Sequence, residues 1–461
     1  MSDNAAAGAA LEYGQRRGSE LYLCILALLI SIGGYAAMSV GVSGKVGSDI
    51  ATFAGWLTGL TLAAHIAVRR LAPYADPVIL PIAVFLNGLG LIIIQRLHAS
   101  DGPYTYPPAS KQLMWTTVGV ALFVGALTVV RDHRALQRWT YTFGLCAVVL
   151  LLLPAVPGLG TGQALGSQVW IRVGPLSAQP GEVAKILLVI AFAGYLVVHR
   201  DALALAGRRI LGVDLPRGRD LGPILAMWLI AVAILVWQSD LGMSLLFFGL
   251  FVVLLYVATE RRGWIVVGGV MFVIGLAAAY SAVGHVRVRF EIWLHPWQYA
   301  QGRGYQLVQG LYGMAWGGLL GRGMGNGHPG WVPFANSDFV ISSIGEELGL
   351  TTLFLVLVCY ALLVERGLRT AIICRDDFGK LLATGLAISL ALQVFVIVGG
   401  VTRLIPLTGL TTPFLAYGGS SLVVNWVMIA LLLRISDQTR RPAPTFSMDT
   451  SMEETQVVKL G

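Results

Sequence analysis

Charge is scarce in this chain. Only 12% of its 461 residues are Asp, Glu, Lys or Arg, about half the roughly 25% of an ordinary globular protein. That shortage excludes the string of soluble domains that length alone would allow. Cysteine is scarce as well: Cys24, Cys146, Cys359 and Cys374 all fall in apolar runs or beside one, so no disulfide framework is expected. Walker-type phosphate loops, CxxC pairs and HExxH sequences are absent, which leaves cytosolic nucleotide hydrolysis and a structural zinc site without support.

What is present is apolar. Hydrophobic residues make up 56% of the chain and mean hydropathy is +0.74. Runs long enough, or nearly so, to cross a bilayer extend over 21–42, 51–68, 77–95, 113–130, 139–156, 183–198, 221–237, 241–258, 264–282, 340–364, 381–401 and 414–433. The expected fold is an all-α polytopic membrane protein with about twelve transmembrane helices and a long ordered external loop. The 56 glycines and 12 tryptophans suit that class, because small residues permit close helix approach and Trp favours the water interface.

Arg69 and Arg70, Arg131 and Arg134, the stretch 200–219, Arg261 and Arg262, and the stretch 366–380 occupy alternate loops. The positive-inside rule makes these loops cytoplasmic, and an even span count puts both termini there, in the cytoplasmic (inner) membrane. The net charge of +8 is thereby read as a topology signal, and no nucleic-acid partner is expected. Residues 1–20 and 436–461 read as disordered cytoplasmic tails, the first preceding a retained helix instead of forming a signal peptide. Between them, 21–112 holds additional N-terminal spans and 113–435 the membrane core. The two longest external loops, 157–182 and 283–338, contain Trp170, Trp293, Trp297, Tyr305, Trp316 and Trp331, and an ordered cap is expected there.

Polar residues at membrane depth mark candidate sites. Glu182 and Lys185 share one helix face at spacing i, i+3, where an ion pair at a helix end and a substrate role weigh equally. Asp240 reads first as an N-cap. Glu346 and Glu347 open an otherwise apolar helix, where one carboxylate is easily explained by the helix dipole and two are not. Asn87, Gln393 and Asn425 read as interhelical hydrogen-bonding residues. External Arg172, Arg287, Arg289, Arg303 and Arg322 run against the topological trend; an anionic headgroup or pyrophosphate is their natural ligand, with solvated surface charge covering Arg303 and Arg322.

The stretches VWIRVGPLSAQPGEVAK, QSDLGMSLLFF, GYQLVQGLYGMAWGGLLGRGMGNG, NSDFVISSIGEELGL and LTGLTTPFLAYGGSSL, in this order and topology, resemble the SEDS family (shape, elongation, division and sporulation; the RodA and FtsW type), most closely its RodA-like actinobacterial members. The resemblance covers about 113–435, and the first two spans look like an addition to the usual ten. It implies a peptidoglycan glycosyltransferase that polymerises lipid II outside the membrane with a class B penicillin-binding protein. The candidate binding set is Arg172, Gln179, Glu182, Lys185, Tyr305, Gln306, Gln309, Ser420 and Ser421 from these motifs, with Arg289 from the external arginines; Arg172, Lys185 and Arg289 suit the pyrophosphate. The family's catalytic aspartate usually stands in an Asp-Pro pair before the GYQ motif, and Tyr299-Ala300 occupies that place here. A phenol with an unperturbed pKa near 10 is a poor base. Asp338, Glu291, His295 and Glu346 are the replacements available. No organic cofactor is expected, and a divalent cation is compatible with the chemistry. A noncatalytic scaffold for a penicillin-binding protein and a transporter of a lipid-linked precursor are the alternative functions.

Overall fold

The computed structural model describes residues 15–160, 169–173, 176–204, 208–210, 213–215 and 218–442. Helices follow the apolar runs: α1 (Arg17–Ser43), α2 (Ile50–Leu71), α3 (Ile79–His98), α4 (Ala109–Val129), α5 (Thr140–Leu152), α6 (Pro180–Ala204), α7 (Gly218–Trp237), α8 (Leu241–Thr259), α9 (Gly263–Ala282), α10 (Gly284–Leu294), α11 (Tyr305–Gly317), α12 (Val340–Ile373), α13 (Asp377–Val401) and α14 (Gly419–Arg440). Eleven of the elements are long and apolar enough to cross a membrane, α5 doing so together with its flanking 3-10 turns, and α7 adds a shorter apolar stretch, Leu225–Ile234. With α7 the count is about twelve. The protein is an all-α polytopic membrane protein; among the described residues its strands are two short antiparallel hairpins, β1 (Ile171–Val173) with β2 (Leu176–Ala178) and β3 (Arg208–Ile210) with β4 (Val213–Leu215).

Helices are the economical solution because each satisfies its own backbone in a medium without water. Burial then sorts them: 89% of the most apolar window of α3 and 78% of those of α6 and α14 are buried inside the protein, against 6% for α9. The first three form the centre of the bundle, whereas α9 shows Ile265, Val266, Val273 and Ile274 to its surroundings, as suits a lipid-facing surface.

Two boundaries differ from the sequence expectation. α1 begins at Arg17, where Arg17 pairs with Glu20 and Glu20 in turn meets His65 Nδ1 at 2.8 Å. α14 continues through Ser436 to Arg440 because its polar residues are buried against the α2–α3 loop. Asp76 N donates to Ser436 Oγ at 3.0 Å, Arg440 pairs with Asp76 at 2.8 Å, and Tyr74 N donates to Asp437 Oδ1 at 2.9 Å. Mutual pairing carries the helix past its apolar run. Residues 1–14 and 443–461, the remainder of the two expected tails, lie outside the described residues.

One end of the bundle is covered by a folded cap, residues 283–339, built from α10, α11 and 3-10 turns at Pro296–Tyr299 and Pro329–Trp331. It is fastened to the bundle by polar contacts. Trp293 Nε1 donates to Arg403 O (3.1 Å), Arg403 Nε returns to Trp293 O (2.9 Å), Tyr106 Oη donates to Val332 O (2.5 Å), and Tyr417 N donates to Asn336 O (2.6 Å). Its tryptophans are less buried than their type suggested: Trp297, Trp316 and Trp331 are half exposed or more, a placement typical of an interfacial belt. Arg322 is no free surface charge, since its guanidinium lies 3.8 Å from the centre of the Trp316 ring.

α12 is interrupted at Gly349, whose φ of +78° and ψ of 177° only glycine adopts readily. The freed backbone groups exchange hydrogen bonds with the end of the cap: Leu350 N with Gly318 O and Arg322 N with Glu346 O, both at 3.0 Å. The break thus stitches the cap to the start of the spanning helix.

Candidate active site

Beneath the cap, polar side chains from several segments converge. Glu182 and Lys185 lie on the first turns of α6, both 1% exposed, with Lys185 Nζ 2.8 Å from Glu182 Oε2. Lys185 also donates to Gln393 Oε1 at 2.7 Å, and Gln393 Nε2 donates to Thr411 O at 2.9 Å. Thr411 Oγ1 reaches Glu182 Oε1 at 3.5 Å. The pair is therefore no exposed brace at a helix end; it is held by α13 and by the loop after it. A charge buried this far must be paired and hydrogen-bonded, and here it is.

Arg289 on α10 turns inward over the same region. Its Nη1 donates to the carbonyls of Leu407 (3.0 Å) and Thr408 (2.8 Å), in the loop that also supplies Thr411. Asp240 N-caps α8 as expected, Oδ1 accepting from Met243 N at 3.0 Å, and its Oδ2 lies 3.5 Å from Gln179 Nε2. Gln179 N in turn donates to Ser420 Oγ at 2.9 Å. Asp338, just before α12, accepts from Ser337 Oγ (2.9 Å) and from Gln306 Nε2 (3.4 Å).

The electrostatics tie these groups together. Burial pushes the Asp240 and Asp338 carboxyls up to about 6, against the pull of their hydrogen bonds and of Arg289. Burial likewise lowers Arg289, opposed by Asp240 and Asp338. Glu182 contributes to the rise at Asp240. One arginine thus stands between two carboxylates, with the Glu182–Lys185 pair adjoining through Asp240. Such an arrangement can bind an anionic group on Arg289 and Lys185 and take a proton on a carboxylate poised near neutrality.

Several sequence candidates lie elsewhere. Glu346 accepts from His328 N at 2.5 Å, and Glu347 accepts from Gly325 N (2.5 Å) while pairing with Arg96 at 2.9 Å. The two carboxylates hold the glycine-rich loop 323–327, which explains why both are needed. Gln309 lines, with Tyr312, Trp316, His328, Trp331 and Glu346, a separate cavity of about 550 Å3. Glu291 is two residues from Arg289 on α10, a spacing that points the two side chains apart. Among the described residues neither it nor His295 has a side-chain hydrogen bond or ion pair. Ser421 accepts from Asn425 Nδ2 within α14 at 3.3 Å, and Arg172 is exposed on β1. Tyr305, at the start of α11, is half buried, and burial raises its phenol. Tyr299 sits in the 3-10 turn of the cap, its carbonyl accepting from Gly302 N and Gly304 N at 3.0 Å. Gln393 reads in the sequence only as an interhelical hydrogen-bonding residue and Asp240 first as a helix cap, and Thr411 is not singled out there at all. An uncharged Gln within a span was the available signal for Gln393, and no local pattern distinguished Thr411.

At the opposite end of α13, His133 Nε2 lies 3.0 Å from Asp376 Oδ1, and Cys374 Sγ lies 3.6 Å from the same oxygen. These three residues form a cluster of metal-ligand type, all ligand atoms within 4.8 Å of one another.

Residues 77–441 match the FtsW/RodA/SpoVE family of cell cycle proteins. The peptidoglycan glycosyltransferase RodA of Mycobacterium tuberculosis is 47% identical over 435 residues, 93% of this chain and 92% of the relative. A probable peptidoglycan glycosyltransferase FtsW of Geobacter metallireducens is 32% identical, covering 79% of this chain and 95% of that one. A chain from a peptidoglycan synthase complex, solved in a study of how polymerization and crosslinking are coordinated, superposes with a TM-score of 0.62 at 26% identity, over 80% of this chain and 99% of that one. Thermus thermophilus RodA shares the fold, with a TM-score of 0.54 at 24% identity over 80% and 98%. The chain belongs to the FtsW/RodA/SpoVE family, whose RodA- and FtsW-type members are peptidoglycan glycosyltransferases of cell-wall synthesis.

Proposed function

We propose that this protein polymerises lipid II at the outer face of the cytoplasmic membrane, with the cap on that side and a class B penicillin-binding protein as partner. The observation that carries the reading is the convergence of Arg289 and Lys185 with Asp338 and Asp240 beneath the cap. Likeness to a chain of a peptidoglycan synthase complex supports the class of partner.

In the reaction, a sugar hydroxyl of one lipid-linked disaccharide attacks the anomeric carbon of another. A glycosidic C–O bond forms, the C–O bond to the pyrophosphate breaks, and the electron pair leaves with the polyprenyl pyrophosphate. Arg289 and Lys185 offset the charge on the leaving group. Asp338 takes the hydroxyl proton, being half buried, poised near pH 6 and not committed to a helix cap as Asp240 is. Gln306 and Ser337 orient it.

Tyr299, at the place where the family pattern has an aspartate, favours a second reading: a noncatalytic scaffold that positions a partner synthase. A polymerisation assay with purified protein, its partner and lipid II separates the two. Glycan strands made by the unmodified chain and lost in Asp338→Asn support the enzyme reading. No strands under any condition, with normal recruitment of the partner, support the scaffold. Robust polymerisation that survives Asp338→Asn would overturn the assignment of the base.

A further inference from the structure

We propose that His133, Cys374 and Asp376 form a zinc site that staples the 3-10 turn before α5 to the junction of α12 and α13, at the end of the bundle away from the cap. The cluster is remote from the chemistry described above. Asp376 caps the start of α13, and Leu407 and Thr408, which hold Arg289, follow its other end. The 25 residues between correspond to a length of about 37 Å.

The donor atoms have the right spacing. Zinc bonds of about 2.0–2.1 Å to nitrogen or oxygen and about 2.3 Å to sulfur, at tetrahedral angles, separate N from O by about 3.3 Å and S from O by about 3.5 Å. The corresponding separations are 3.0 Å from His133 Nε2 to Asp376 Oδ1 and 3.6 Å from Cys374 Sγ to the same oxygen. A nitrogen, a thiolate and a carboxylate oxygen form a donor set suited to zinc and poorly suited to magnesium or calcium.

Gly379 supplies the space. A Cβ there would stand 2.4 Å from His133 Nε2, 2.7 Å from Cys374 Sγ and 3.0 Å from Asp376 Oδ2. All three side chains therefore point at one spot, which only glycine leaves free.

The surrounding bonds orient the ligands. Gln438 Nε2 donates to Arg131 O at 2.7 Å, so its amide oxygen faces His133 Nδ1 and accepts that proton. Nε2 is then the ring nitrogen that faces the carboxylate, at a spacing that either a proton or a metal ion between the two atoms satisfies. Asp376 Oδ2 accepts from Gly379 N at 2.7 Å, which leaves Oδ1 as the ligand atom. His133 is 1% exposed and Asp376 is partly open to solvent, so an ion has an entry path and water can fill the fourth position. Binding releases the thiol proton, and the ion takes the place of the proton that would otherwise lie between Nε2 and Asp376. Arg134 Nε, 3.3 Å from Oδ1, is exposed and can swing away. No local motif announces the site because His133 stands 243 residues from Asp376.

The test uses full-length protein purified in detergent without a histidine tag. Zinc content is measured by mass spectrometry, and cobalt is then substituted and its spectrum recorded. The expected result is one zinc per chain and a cobalt–thiolate charge-transfer band. Both should be lost in Cys374→Ser and in His133→Gln and retained in Cys146→Ser. Gln438→Ala, which keeps the ligands, should weaken zinc affinity about 10- to 100-fold. Chelation should lower the melting temperature of the unmodified protein and leave Cys374→Ser unmoved. Zinc content equal in unmodified protein and Cys374→Ser, or a cobalt band that follows Cys146, would overturn the proposal.

Discussion

At the scale of single residues, burial decides what Lys185 is worth. The spacing of Glu182 and Lys185 predicts a pair, and an exposed one would contribute about 1 kcal/mol or less. With both side chains 1% exposed and a third partner in Gln393, Lys185→Ala leaves a buried carboxylate unpaired and should cost about 3–5 kcal/mol. The double variant Glu182→Gln with Lys185→Met should restore accumulation in the membrane without restoring polymerisation. Recovery of both would mean that the pair is structural alone. Asp338→Asn should lower the polymerisation rate about 100- to 10,000-fold, the usual contribution of a general base. Burial places the Asp338 carboxyl at about 6 and the ionised form is the base, so the rate should climb as pH rises through that value. Arg289 pulls this pKa down; in Arg289→Gln the limb of a pH–rate profile should move to higher pH. A limb that stays in place would argue for another base.

At the scale of elements, two segments show how local chemistry and long-range packing divide the work. The IGEELGL motif reads as a helix with two acids at its start, but its second glycine, Gly349, adopts a positive φ and the helix breaks there. A Cβ at Gly349 would stand 2.3 Å from Gly321 N and 2.4 Å from Leu319 O. Gly349→Ala should therefore cost more than the roughly 1–3 kcal/mol of backbone strain alone, measurable as a fall in melting temperature in detergent. The other segment is the 3-10 turn Pro296–Tyr299, where Tyr299 takes the place of the family's aspartate. Introducing Tyr299→Asp together with Ala300→Pro should raise polymerisation roughly tenfold or more, the contribution of an added general base. An unchanged rate in a lipid II assay would show that Asp338 suffices or that the chain does not polymerise.

At the scale of the whole molecule, orientation is the first prediction to check. Arg-rich loops lie at one end of the spans and the aromatic cap at the other, so the cap should face outward. In a cysteine-free background, Arg303→Cys should react with a membrane-impermeant thiol reagent applied to intact cells, and Arg262→Cys should not. The reverse pattern would invert the map and remove the cap from the side where lipid II is used.

The number of the spans was legible in the sequence, because roughly twenty apolar residues are what a bilayer demands of any helix. So was the Glu182–Lys185 contact, since helical spacing alone brings i and i+3 together. The tertiary structure decided the rest. Lys185 meets Gln393 across 208 residues, Arg289 meets Leu407 across 118, and Asp76 holds Arg440 across 364. Each of these contacts depends on which helices pack side by side, and nothing in the local spacing of residues specifies that. For the same reason Glu346, one of two adjacent carboxylates at a helix start in the sequence, proved to brace a glycine loop, while Asp240, read as a helix cap, also faces the arginine of the site.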